Sequence, residues 1–239
     1  MRKITLTLHI RKYDYDGYVY DLTTEKNHNF FANGINIHNC GKKRYILNVF
    51  DNEGVRYSDP KLKIMGIEAV KSSTPKVVRD KFLKAYRIMI DSDESELQAF
   101  VNDFYEEFVS LPPEETSFPR GVSEIDKWKD KTTLYKKGTP IHVRGSIIYN
   151  DMLKKTGLDK QLEEIKNGTK VKFSYLKMPN PTRENIIAFP IFLPKEFGLH
   201  EYIDHEVQFN KSFKEPLRSV SDVIGWNLEK INTLDEFFS

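Results

Sequence analysis

The sequence predicts an α+β protein: a short β segment first, then a strand pair, then a mainly helical region. Three observations carry that prediction. Apolar and polar residues alternate at Ile4, Leu6, Leu8 and Ile10, and again across Tyr45-Ile46-Leu47-Asn48-Val49-Phe50. This is the period-two pattern of half-buried strands. Asp51-Asn52-Glu53-Gly54 is a hairpin turn signal, with a return strand from Val55. Beyond residue 70, apolar residues recur at helical spacing in two runs: Val77, Val78, Phe82, Tyr86 and Met89, then Leu97, Phe100, Val101, Phe104 and Phe108.

The first segment holds the chain's one cysteine, Cys40, directly after His38 and Asn39. An asparagine side-chain amide can attack its own backbone carbonyl, closing a succinimide and releasing whatever follows. A downstream thiolate can accept an acyl group as a thioester. A neighbouring histidine can supply or remove the protons. A surface turn is the plainer account of this tripeptide, since the nearby Asn33-Gly34 marks turns and an isolated Cys is usually a small buried hydrophobe. The strand-like pattern returns at Val19 and Leu22, but the segment is too short to bury a core of its own.

After the junction, Tyr45–Phe50 and the return from Val55 predict a hairpin, and Lys61-Leu62-Lys63-Ile64-Met65-Gly66 continues it in extended form. Ser73 or Thr74 is placed to cap the first helix, with Pro75 at its first position. Composition fits a soluble globular protein: 239 residues, net charge +2 and 39% hydrophobic content. There is no apolar run long enough to span a membrane, no secretory signal and no zinc-spaced Cys/His cluster. One cysteine cannot form an internal disulfide and fits a reducing compartment, so the expected location is cytoplasmic. Charge is uneven: residues 40–90 hold twelve Lys/Arg against five Asp/Glu, and residues 91–130 hold three against twelve. Solvated helix faces explain such runs. A phosphate-facing surface explains the basic one equally well, because Tyr45, Phe50 and Tyr57 interleave its cations.

The surroundings of the junction resolve its reading. Tyr20-Asp21-Leu22-Thr23, then Asn27-His28-Asn29-Phe30-Phe31-Ala32-Asn33-Gly34, then His38-Asn39-Cys40 resemble the C-terminal splicing blocks of inteins. The resemblance implies a HINT-type β segment over residues 1–39. Asn39 would be the cyclising residue, His38 its helper, His28 and Asp21 the conserved-block assistants, and Cys40 the first retained residue. No N-terminal splicing block is present, and Met1-Arg2-Lys3-Ile4-Thr5 reads as a translation start. The expectation is the smaller half of a split intein, which splices in trans with a partner bearing the N-intein.

A second resemblance begins at the junction. Gly41-Lys42-Lys43-Arg44-Tyr45, Asp59-Pro60-Lys61-Leu62-Lys63-Ile64-Met65-Gly66-Ile67-Glu68 and Lys71-Ser72-Ser73-Thr74-Pro75 are similar to the T-even-type phage branch of family B DNA polymerases. Pro140-Ile141-His142-Val143-Arg144-Gly145 and Ile187-Ala188-Phe189-Pro190 extend the similarity. It implies the end of a palm sheet at 40–72 and a thumb domain at 73–230. It also implies a DNA-binding set of Lys42, Lys43, Arg44, Tyr45, Lys63, Lys71, His142 and Arg144. Residues 231–239 resemble a sliding-clamp-binding tail through Leu234, Phe237 and Phe238, with Ile231 where that motif has glutamine; a terminal helix folded onto the thumb is the alternative. The family's metal-binding carboxylate motifs are absent here, so this chain would hold no cofactor. The Mg of an assembled polymerase would sit on a missing N-terminal fragment. The partners implied are that fragment, primer-template DNA and a sliding clamp. A non-splicing thumb subunit that associates noncovalently with the fragment is the alternative.

Overall fold

The computed structural model describes residues 29–32, 35–38, 45–52 and 55–229. The chain divides into two compact units, Met1–Lys43 and Arg44–Ser239. In the first unit, β1 (Asn29–Ala32) pairs antiparallel with β2 (Ile35–His38), Asn29 opposite His38 and Ala32 opposite Ile35. The pairing flanks positions 33–34, where Asn-Gly signalled a turn. The alternation at Ile4 to Ile10, and at Val19 and Leu22, lies outside the described residues.

The second unit opens with a two-stranded ribbon, β3 (Tyr45–Asn52) and β4 (Val55–Met65). Ile46 faces Ile64 and Asn48 faces Leu62 across the pair, and a bulge falls between Val49 and Asp51. Ile46, Leu62 and Ile64 turn one face of the ribbon onto a helical core. Helix α1 (Lys76–Asp91) latches to that face: the Arg87 guanidinium donates to Asn48 Oδ1 at 3.2 Å and to the Pro60 carbonyl at 3.4 Å.

Helix α1 starts one residue later than the sequence indicated. Pro75 occupies the cap position, and the Arg79 N–H donates to its carbonyl at 3.0 Å. Thr74 is buried and makes no side-chain cap. Its backbone N–H instead closes a turn onto the Lys71 carbonyl, which fixes the chain direction before the helix. Helix α2 (Glu94–Ser110) follows, capped by the Asp93 carboxylate, which accepts from the Glu96 N–H at 3.0 Å.

Next come α3 (Pro113–Thr116), β5 (Phe118–Gly121), α4 (Ile125–Trp128), β6 (Lys129–Asp130) and β7 (Leu134–Tyr135). After them come α5 (Ile141–Thr156), β8 (Lys170–Tyr175), β9 (Ile186–Phe189), α6 (His205–Phe209) and α7 (Glu215–Ser221). A π-helical turn, Asn210–Lys214, joins the last two.

Two hydrophobic cores result. The helical one gathers Phe82, Phe104, Phe108, Phe209 and Phe213 from α1, α2, α6 and the π turn. The other lies between α5 and an antiparallel sheet of order β5-β8-β9. Helix and sheet meet at Gly145, where an added Cβ would stand 2.8 Å from the Ala188 backbone nitrogen. The mixture of helix and antiparallel strand is the α+β class expected. Residues 73–229 are mainly helical, as expected, and a sheet backs their second core. Strand β9 is buried at all four residues, so it lacks the alternation that marks a strand in sequence.

Candidate nucleic-acid interface

Asp21, His28, Asn39, Cys40, Lys42, Lys43 and Arg44 lie outside the described residues, as do Leu234, Phe237 and Phe238. His38 ends β2. The described candidates are Tyr45, Lys63, Lys71, His142 and Arg144, and they fall in three places.

Ser72 and Ser73 meet β5. A groove of about 440 Å³ is lined there by Ser72, Ser73, Pro119, Arg120, Gly121, Lys170 and Val171, with no acidic side chain among them. The Arg120 guanidinium donates to the Ser73 carbonyl at 3.1 Å and to the Pro119 carbonyl at 3.0 Å. Two neutral acceptors fix its position without neutralising its charge. Lys170 is exposed at the start of β8, opposite Gly121 in the sheet register. Lys71 stands one residue from the groove and pairs with Glu68 at 2.7 Å, an exposed pair that solvent weakens.

His142 approaches the same place from α5. Burial, and then the charge of Arg120, hold its imidazole below the usual histidine range, against a hydrogen bond with the Gly121 backbone that works the other way. At neutral pH it is therefore a neutral neighbour, and the cations here are Arg120, Lys170 and Lys71.

Arg144, two residues on, belongs to a different cluster. Its guanidinium donates to Asn185 Oδ1 at 2.6 Å and stacks over Tyr135 at 5.8 Å, while the Tyr135 hydroxyl donates to Glu184 Oε1 at 2.7 Å. These contacts tie the β6–β7 hairpin to the loop before β9. Burial and the Glu184 hydrogen bond raise the Tyr135 phenol above its ordinary range.

Tyr45 and Lys63 lie on the ribbon. Tyr45 faces Met65, and Lys63 faces Leu47, so both residues occupy the face opposite Ile46 and Ile64. Lys61 shares it, its ammonium 4.1 Å from the Tyr57 ring.

The structure thus sets His142 beside Arg120 and Gly121 of the groove, with Lys71 next to Ser72 in the chain, and none of the predicted residues lines the groove itself. Sequence reasoning missed Arg120 and Lys170. Arg120 had a signal, being one of three cations in the acidic block 91–130. Lys170 had none, since only the pairing of β5 with β8 brings it to Gly121.

What the arrangement offers chemically is positive charge on rigid backbone, suited to phosphate. Among the described residues no group of three or more His, Cys, Asp or Glu side chains is placed to hold a metal ion. None of their helices is long and apolar enough to cross a membrane.

No family model matches the chain. It is 34% identical over 201 residues to the DNA-directed DNA polymerase of Enterobacteria phage T4, a match covering 82% of this chain and 22% of that protein. Against the DNA-directed DNA polymerase of Escherichia phage RB69 it is 34% identical over 203 residues, covering 83% and 22%. A shorter match, 57% identical over 35 residues, is to DNA topoisomerase 1 of Pyrococcus furiosus, covering 15% of this chain and 3% of that protein. The chain spans about a fifth of the length of the curated polymerases it matches. Over about four-fifths of its own length, then, this chain is homologous to a segment of phage DNA-directed DNA polymerases.

Proposed function

We propose that this chain is the C-terminal precursor of a split phage-type DNA polymerase: residues 1–39 splice it to an N-terminal polypeptide, and the remainder holds primer-template DNA. The observation that carries this reading is the Tyr20-to-Cys40 run, set in a chain that is otherwise polymerase-like over 82% of its length. In the splicing step the Cys40 thiolate attacks the ester or thioester carbonyl that joins the partner's polymerase part to the first residue of its N-intein; that bond breaks, the first residue's side-chain thiolate or alkoxide leaves and takes up a proton, and the acyl group is now held on Cys40 as a branched thioester. The Asn39 side-chain nitrogen then attacks its own carbonyl carbon, closing a succinimide and freeing the Cys40 amine. That amine takes the acyl group from sulfur, leaving an ordinary peptide bond. His38 and His28 serve the proton transfers, and Asp21 assists.

In the joined product, Lys42, Lys43 and Arg44 stand beside the β3–β4 ribbon in sequence, and the Arg120 groove adds cations from the second core. Nucleotidyl transfer and its Mg ions are assigned to the N-terminal polypeptide. Residues 231–239 dock on a sliding clamp through Leu234, Phe237 and Phe238.

Mixing the chain with an N-terminal partner that carries an N-intein, and weighing the products, tests the reading. The expected product begins its new C-terminal part at Cys40 and lacks residues 1–39. Asn39→Ala blocks release and Cys40→Ala blocks the branched intermediate; a variant that ligates normally sinks the role given to that residue. For DNA, Arg120→Ala and Lys170→Ala each weaken duplex binding and lower the slope of log affinity against log salt by roughly 0.9. Unchanged slopes remove the groove from the interface.

A further inference from the structure

An open groove of about 510 Å³ runs beside α7 and the turn that follows it. Ile67, Tyr86 and Met89 line it together with Val220, Val223 and Ile224, and no charged side chain is among its lining residues. Val223 is 83% exposed and Ile224 48%. Nucleic acid does not fit here, because phosphate is recognised by cations and this groove offers none.

The path of the chain brings an occupant to this place. Residues 227–229 are strapped to the helical core: Leu228 is buried in it, and the Gln98 amide donates to the Asn227 carbonyl at 2.9 Å and to the Glu229 carbonyl at 3.3 Å. The Glu229 carboxylate pairs with Lys214 and, at 3.4 Å, with Arg218. Arg218 belongs to α7, the helix whose next two residues, Ser219 and Val220, line the groove. Residues 230–239 follow from that anchor, and fully extended they reach about 35 Å. Leu234, Phe237 and Phe238 have the i, i+3, i+4 spacing of one helix face, and Asp235 and Glu236 fall outside it. Such a segment lays three apolar side chains into an uncharged groove without burying a carboxylate. Tethering favours it over any free partner, because a short linker holds its ligand at an effective concentration on the order of millimolar.

We propose that residues 231–239 fold back into this groove, with Leu234, Phe237 and Phe238 filling it. The contact stores the tail on the chain's own surface. The reading above gives the same three side chains to a sliding clamp, and the inference rests on it in one respect. Groove and clamp cannot hold these side chains at once, so a clamp must draw the tail out.

Hydrogen exchange on the full chain, read by mass spectrometry, tests this. The amides of residues 231–239 should exchange at least tenfold more slowly than in a free peptide of the same sequence. Val223→Asp, at an exposed position, should restore the peptide's rates in the tail while α1 and α2 keep theirs. Phe237→Ala combined with Phe238→Ala should speed exchange severalfold in residues 219–224, the groove's own wall. A tail that exchanges as fast as the peptide overturns the proposal. Protection that survives Val223→Asp puts the tail elsewhere and overturns it too. So does protection that grows with chain concentration, which makes a second copy's tail the occupant. Clamp binding is scored separately, on the Val223→Asp chain with its tail released. Failure there strikes the clamp assignment and leaves the groove standing, whereas a fast-exchanging tail strikes the groove and leaves the clamp assignment.

Discussion

The helical core and the sheet-backed core bury comparable sets of side chains by different means. Five phenylalanines interlock in the first: Phe213 lies 4.8 Å from Phe82 and 4.9 Å from Phe104, and Phe209 lies 5.3 Å from Phe108. Most of these pairs are edge-on or tilted, the arrangement aromatic quadrupoles favour. The second core is mainly aliphatic, with Ile147, Ile148, Leu153, Ile165, Ile186 and Ile187 buried, and it is pinned by polar side chains. Asn150 donates to the Ile165 carbonyl and accepts from the Ile165 N–H, both at 2.8 Å, and Ser117 hydrogen-bonds Ser174. Each core is therefore vulnerable in its own way. The aromatic core depends on shape, and the aliphatic one on satisfied hydrogen bonds and a close helix–strand approach. Gln208 joins them: fully buried, it donates to the Thr116 carbonyl at 2.9 Å and accepts from the Tyr175 N–H at 3.1 Å.

The strongest challenge to this contrast is Phe213→Ala. Removing the ring that touches Phe82, Phe104 and Phe209 should cost about 3–5 kcal/mol by chemical denaturation. Hydrogen exchange should accelerate first in α1 and α2; equal acceleration in β8 and β9 would mean the cores are one cooperative body. Gln208→Ala comes next. It orphans a buried carbonyl and a buried N–H, at roughly 1–3 kcal/mol each, and should broaden the denaturation curve as the cores uncouple. A single sharp transition with unchanged slope would deny Gln208 its linking role.

Gly145→Ala follows. Alanine gains helix propensity of about 1 kcal/mol, but its Cβ meets backbone, so a net loss of roughly 1–2 kcal/mol is expected. A stabilised variant would show that α5 and β9 can separate freely. The smallest effect is with pH. His142 and His205 are both held below the ordinary histidine value of 6.5, first by burial and then by Arg120 and Lys177. The unfolded chain therefore binds protons first. Stability is full above pH 6.5 and falls as pH drops toward 5. The melting temperature should decline by a few degrees across that window, and His142→Gln should flatten the decline. An unchanged profile would place the imidazole in solvent.

Sequence alone reached α2 and most of its buried face, because Leu97, Val101, Phe104 and Phe108 keep one helical period. Phe209 and Phe213 escaped the same logic. The π turn Asn210–Lys214 inserts itself between α6 and α7 and breaks the 3.6-residue repeat on which that logic depends. Strand β9 escaped for the opposite reason, being apolar on both faces. At the interface, Lys71 and His142 were legible as motif residues. Lys170 was not, because it reaches Gly121 only through the pairing of β5 with β8, a contact between segments far apart in the chain.

Gly145 also constrains how this fold can evolve. The atoms its missing Cβ would meet first are the Ala188 nitrogen and the Ile187 carbonyl carbon, which exist whatever side chains those positions carry. No substitution at 187 or 188 can therefore make room. A position constrained by backbone cannot drift by compensating change, as a side-chain contact can. Relatives too distant to retain the lysine motifs should still show a glycine at the second turn of this helix, a fixed point from which the two segments can be aligned.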